Sequence, residues 1–130
     1  MRFESPVVLL VDDDEDSAAM YAIGLLAMGF QPVTVKTVED GFERACHLQP
    51  DIVVVDVSLA GTSGLDLTHR LRGDFRTRDA GIIVLTGHLS GSMNNRAQGA
   101  GCDRFLAKPC PPDVLALEIR DVLNHRHGTR

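Results

Sequence analysis

Tryptophan is absent from the 130-residue chain, tyrosine occurs once, and aromatic residues make up only 5%. A core must therefore be assembled from Val, Leu, Ile and Ala, and at 44% hydrophobic residues the chain has enough of them. Cysteine is scarce. Cys46, Cys102 and Cys110 are odd in number and show no CxxC spacing, a pattern expected of reduced thiols in a cytoplasmic protein. No apolar run approaches the roughly 18 residues of a membrane span, and the N-terminus lacks the basic-then-apolar order of a signal peptide. Positive charge is in short supply: 13 Lys and Arg against 18 Asp and Glu leave a net charge of −5. That balance argues against direct nucleic-acid binding, which needs a basic face. The histidines are scattered, and His125 and His127 in HRHGTR read as part of a solvated tail rather than a metal site.

What is present is an alternation. Continuous apolar runs, VVLLV (7–11), PVTV (32–35, more polar and so an edge candidate), DIVVVDV (51–57), GIIVLT (81–86) and DRFLA (103–107), read as strands. Between them lie helix-like stretches at 16–29, 38–48, 63–72, 89–99 and 111–123. The first is expected to bury Ala19, Ala22, Ile23 and Leu26 and to stop at Gly29. The second presents Val38, Phe42 and Ala45 on one face. The last opens on Pro and carries Leu115, Ile119, Val122 and Leu123 as its stripe. The stretch 89–99, with two Gly, two Ser and two Asn, is a poor helix former. The connection 73–80 is expected to be a polar surface loop. Five strand–helix repeats predict an α/β fold: a doubly wound, five-stranded parallel sheet with helices on both faces. The length fits a single domain over residues 1–130, with a core from about 6 to 123 and a polar, disorder-prone tail from 124 to 130.

In such sheets ligands bind beyond the carboxyl ends of the strands. There the first strand runs into Asp12, Asp13 and Asp14, the third ends at Asp56, the fourth at Thr86, and the fifth is followed by Lys108. A nucleotide-binding turn would be Gly-rich; carboxylates instead repel phosphate, so this edge needs a cation before it can handle a phosphoryl group. Asp12, Asp13 and Asp56 are hard oxygen donors suited to Mg²⁺, with Mn²⁺ a similar fit. Lys108 offers a compact ammonium and Thr86 a hydroxyl. Carboxylate, metal, ammonium and hydroxyl together make a phosphoryl-transfer site, with Asp56 as the natural nucleophile. Asp14 and Asp16 read instead as helix-start residues.

VLLVDDDED, DIVVVDVSLAGTSGLDL, RTRDAGIIVLTG and AGCDRFLAKP, in this order over residues 6 to 123, resemble the receiver domain of two-component response regulators. The resemblance implies a flavodoxin-like (βα)5 sandwich of strand order 2-1-3-4-5. It implies that Asp56 accepts a phosphoryl group from a sensor histidine kinase or a histidine phosphotransfer protein. Asp13 and Asp56 would bind Mg²⁺ together with the backbone carbonyl of Ser58, with Asp12 acting largely through water. Thr86 and Lys108 would hold the phosphoryl oxygens, Phe105 would be the aromatic switch, and the Lys108–Pro109 bond would be cis. Ser58 and His88 would tune the lifetime of the acyl phosphate. Ala60 and Gly87 depart from the Pro and Ala usual in the family, and Cys110 from a larger apolar residue. The 4-5-5 face (helix 89–99, strand 103–107, helix 111–123) would contact a downstream protein or effector domain.

This reading describes a regulatory domain, not an enzyme acting on an external metabolite. Two others stand beside it. An aspartyl-phosphate hydrolase of the haloacid dehalogenase type would want an acid where Ser58 stands. A pseudo-receiver would bind partners without phosphorylation, and the complete set of Asp12, Asp13, Asp56, Thr86 and Lys108 argues against it.

Overall fold

The computed structural model describes residues 5–56, 63–87 and 99–127. Five parallel strands, β1 (Val7–Val11), β2 (Gln31–Val35), β3 (Ile52–Asp56), β4 (Gly81–Thr86) and β5 (Arg104–Ala107), pair in the order 2-1-3-4-5. Four helices accompany them among the described residues: α1 (Glu15–Ala27), α2 (Val38–Leu48), α3 (Ser63–Arg72) and, numbered here as α4, Pro112–His127. Order 2-1-3-4-5 makes β2 an edge, and Pro32, which has no N–H to donate, sits there.

The period-2 geometry of the strands divides the core between two faces. Val8, Leu10, Val54, Ile83 and Leu85 point to one face and pack with Tyr21 and Leu25 of α1 and Leu115, Ile119 and Val122 of α4. Leu9, Val11, Val53, Val55, Ile82 and Val84 point to the other and pack with Ala45 of α2 and Leu65, Leu67 and Leu71 of α3. Each fully buried Leu or Ile is worth roughly 1.5–3 kcal/mol of transfer free energy, so these two layers dominate the driving force.

Helix α1 buries a face that shares only the partly buried Ala22 with the expected one. Ala18, Tyr21 and Leu25 are inside, whereas Ile23 and Leu26 are 70% and 64% exposed. The segment is apolar all round, so periodicity cannot choose a face. Tertiary contacts choose it instead: the Tyr21 hydroxyl donates to the Cys110 carbonyl at 2.8 Å. The helix ends at Ala27, capped by Met28, and Gly29 takes φ +96°. The Phe30 N–H reaches Leu25 O and the Gly29 N–H reaches Leu26 O, a Schellman motif that needs the glycine.

The connection 73–80 is more than a surface loop. Thr77 is buried and its hydroxyl donates to Leu71 O at 2.7 Å. The Arg72 guanidinium donates to the carbonyls of Arg78, Ala80 and Gly101 and to the Asp103 carboxylate. Asp103 in turn accepts the Ile82 N–H. One arginine thus ties the end of α3 to the starts of β4 and β5. Helix α4 runs to His127, past the expected end at residue 123. There His125 Nδ1 lies 2.8 Å from Asp121 O and beside the Asp121 carboxylate one turn back, a contact that supports the extra helical turn.

Candidate functional site

Three strands deliver the site from the carboxyl edge of the sheet. Val11 pairs with Val55, so the next residues on these neighbouring strands, Asp12 and Asp56, emerge side by side at roughly the 4.8 Å interstrand spacing. Both are buried. The Asp12 N–H extends the β1–β2 ladder to Val35 O, and its Oδ1 accepts the Asp14 N–H at 3.0 Å. That bond turns the chain sharply. Asp13 is left exposed, and Asp14 becomes the N-cap of α1, accepting the Ser17 N–H at 3.0 Å. Glu15 and Asp16 fall in the first helical turn, where carboxylates complement the helix dipole. The acidic run is therefore two features in series: site carboxylates, then a cap.

Thr86, the last residue of β4, is 1% exposed, and its carbonyl accepts the Lys108 N–H at 2.7 Å. This bond fixes the base of Lys108 against β4. From there the Lys108 ammonium forms an ion pair with Asp56 Oδ2. The Lys108–Pro109 peptide is cis. Tyr21 secures the next residue through Cys110 O, so α1 and the segment after β5 are linked directly behind the site. Tyr21 carried no motif signal. Its only hint was being the single phenol of the chain, in the apolar part of the helix that follows the acidic first turn.

Burial pushes the Asp12 carboxyl above the usual carboxylate range, and the charge of Asp56 adds to the effect. The Asp14 N–H and the Lys108 charge oppose it. Asp12, Asp13 and Asp56 line a single open cavity of about 580 Å³, which Lys36, His69 and Arg70 border on its far side. Among the described residues no group of three or more His, Cys, Asp or Glu side chains is placed to hold a metal ion. Asp12, Asp13 and Asp56 are by type hard oxygen donors, the kind of ligand Mg²⁺ takes while it retains part of its hydration shell. Phe105 is half-buried against the α2–α3 face of the core. Ser58, Ala60, His88 and residues 89–98 lie outside the described residues. Among the described residues no helix is long and apolar enough to cross a membrane.

A doubly wound parallel sheet with a lysine–aspartate pair and further carboxylates at its carboxyl edge defines an α/β domain of the flavodoxin-like class, with its candidate site at the strand ends. Within it, the chain belongs to the response regulator receiver domain family, which it matches over residues 8–120. It is 32% identical over 118 residues to the phosphate regulon transcriptional regulatory protein PhoB of Pseudomonas aeruginosa, a match covering 89% of this chain and 51% of that protein. The chain thus spans about half the length of the curated relatives it matches. Among solved structures it resembles a response regulator from Chloroflexus aurantiacus (TM-score 0.85, 28% identity, 92% of this chain and 98% of that one). In fold it also matches a CheY-like receiver domain from Methanospirillum hungatei (TM-score 0.89, 20% identity, 98% and 100% of the two chains). It is accordingly a regulatory receiver domain of two-component signalling.

Proposed function

We propose that this domain is a phosphorylation-controlled switch that accepts a phosphoryl group on Asp56 from a sensor histidine kinase or a histidine phosphotransfer protein. The observation that carries this reading is the Lys108–Asp56 ion pair at the sheet edge, with Thr86 at the end of the neighbouring strand. A carboxylate oxygen of Asp56 attacks the phosphorus of a phosphohistidine. The P–O bond forms as the P–N bond breaks, and the imidazole leaves with its electron pair and takes up a proton. Lys108, positioned through Thr86 O, transfers its charge from the Asp56 carboxylate to a phosphoryl oxygen, and the Thr86 hydroxyl donates to another. Mg²⁺ held by Asp13, Asp56 and the Ser58 carbonyl, with Asp12 acting through water, would supply charge neutralisation at the same oxygens. Drawing Thr86 inward leaves room behind it for Phe105, so strand β5 and its flanks report the event. The output surface in this reading is the face of residues 89–99, β5 and α4, which meets a downstream protein or effector domain. Ser58 and His88 tune hydrolysis, His88 by orienting water.

Incubation with acetyl phosphate and Mg²⁺, read by intact mass, tests the core of the proposal. One phosphoryl group is expected on the native chain and none on Asp56→Asn. Absence of uptake on the native chain would leave a binding module that works without phosphorylation. Beryllofluoride titration by backbone NMR tests the switch: shift changes are expected across 86–107, and unchanged resonances there would defeat it.

A further inference from the structure

Lys108 opens the sequence KPCPP, and Pro109, Pro111 and Pro112 carry no N–H. Only Lys108 and Cys110 can donate from this backbone, so its carbonyls must supply much of its anchorage. The prolines also stiffen it. Each ring fixes its own φ and restricts the residue before it, which here covers Lys108 through Pro112. A displacement at Cys110 is therefore passed to Lys108 rather than absorbed between them. The Lys108 N–H donates to Thr86 O at 2.7 Å, and the Pro111 carbonyl accepts the Leu115 N–H at 2.9 Å. Between these points stands the Tyr21 hydroxyl, buried and 2.8 Å from Cys110 O. Tyr21 also lies directly behind the reacting group: with Asp12 and Asp56 it lines one small cavity under the sheet edge. Gly24, one turn further along the same face of α1, admits Pro112 at close range. Helix α1 thus meets the stiff segment at two points.

We infer that Tyr21 is a positioning residue for phosphoryl transfer: through the Cys110 carbonyl it holds Lys108 where the ammonium meets Asp56 Oδ2. The role rests on Asp56 being the phosphoacceptor. With acetyl phosphate as donor, a carboxylate oxygen of Asp56 forms the new P–O bond. The P–O bond to acetate breaks, and acetate leaves with the electron pair. Lys108 offsets the charge on the phosphoryl oxygens during this step only if its ammonium is already in place. Tyr21 touches neither the phosphorus nor the donor, so its contribution is geometric. Misplacing a reacting-site group by about 1 Å can cost up to ~100-fold in rate.

The test is the rate of phosphoryl uptake from acetyl phosphate and Mg²⁺, read by intact mass well below the melting temperature of every variant. Tyr21→Phe keeps the ring and removes the hydroxyl, and is expected to slow uptake about tenfold. In a Lys108→Ala background no ammonium is left to place, so Tyr21→Phe should change nothing further. Ile52→Val thins the core at the opposite end of β3 from Asp56 and should leave the rate unchanged. A native rate in Tyr21→Phe, the same loss on the Lys108→Ala background, or an equal loss in Ile52→Val would each overturn the inference. A second readout needs no phosphorylation. Lys36 and Lys108 are the two lysines of the chain, so ¹³C-lysine labelling gives two Cε signals, assigned with Lys36→Arg. Asp56→Asn removes the partner of Lys108 and should shift its Cε signal. With Tyr21→Phe present, that shift should shrink by about half or more. A shift of undiminished size would overturn the positioning role whatever the uptake rates. If the native chain takes up no phosphoryl group, the phosphoacceptor reading fails, while the lysine spectra still decide whether Tyr21 places Lys108.

Discussion

Tyr21 shows what one residue contributes behind the site. Its hydroxyl is buried and donates to Cys110 O, joining α1 to the segment that follows Lys108. Burial pushes this phenol up to about 12, from an ordinary value of 10.0. A raised acid pKa stabilises the fold fully below the unfolded value, and that contribution disappears as pH rises through the folded value. The relevant window is therefore pH 10 to about 12. Tyr21 is the single tyrosine in a chain without tryptophan, so tyrosinate absorbance reports this group alone. The titration midpoint is expected well above that of the unfolded chain in denaturant, and thermal stability should fall across the same window. Tyr21→Phe removes the hydrogen bond at an expected cost of about 1 kcal/mol, measurable by urea unfolding. It should also flatten the alkaline stability loss relative to the native chain.

At the scale of elements, the contact between α1 and α4 depends on Gly24. A Cβ built there would lie 2.4 Å from Pro112 Cβ, a rigid ring atom at the first residue of α4. In an open helix Gly→Ala gains up to about 1 kcal/mol. Here overpacking costs about 1–3 kcal/mol and should win, so Gly24→Ala is expected to lower the unfolding midpoint. This contact also marks where the sequence stopped being legible. Strands β1, β3 and β4 were readable because a buried parallel strand must be a continuous apolar run. The faces of α2 and α4 were readable because polar residues alternate with apolar ones at helical spacing. Helix α1 offers no such contrast, and the choice between Ile23 and Leu25 as a core residue rests on contacts distant in sequence. The same holds for Arg72. Its guanidinium finds acceptors at residues 78, 80, 101 and 103 only after folding brings them together. Removing one partner strands the other's charge. Arg72→Ala is therefore expected to destabilise by about 3 kcal/mol, and Asp103→Asn by less, since an amide oxygen can still accept.

For the whole molecule, the site carboxylates were legible because topology alone gathers strand ends on one edge of the sheet. Asp12 and Asp13 follow β1 while Asp56 ends β3, so only the folded chain brings them together. That separation makes metal binding a stability question. A cation that binds the native edge and not the unfolded chain stabilises by RT ln(1 + [Mg²⁺]/Kd). At ten times Kd this is about 1.4 kcal/mol, or a rise of roughly 3–6 °C in melting temperature for a domain of this size. Removing one carboxylate separates repulsion from binding. Asp13→Asn relieves like-charge crowding, so without metal it is expected to melt at or slightly above the native temperature. With millimolar Mg²⁺ the order should reverse, because only the native chain gains the metal. Differential scanning calorimetry at matched ionic strength, with NaCl replacing MgCl₂ in the control, distinguishes site binding from general screening of the −5 charge. Equal responses of the native and Asp13→Asn chains to Mg²⁺ would place the stabilisation elsewhere and remove the metal from this edge.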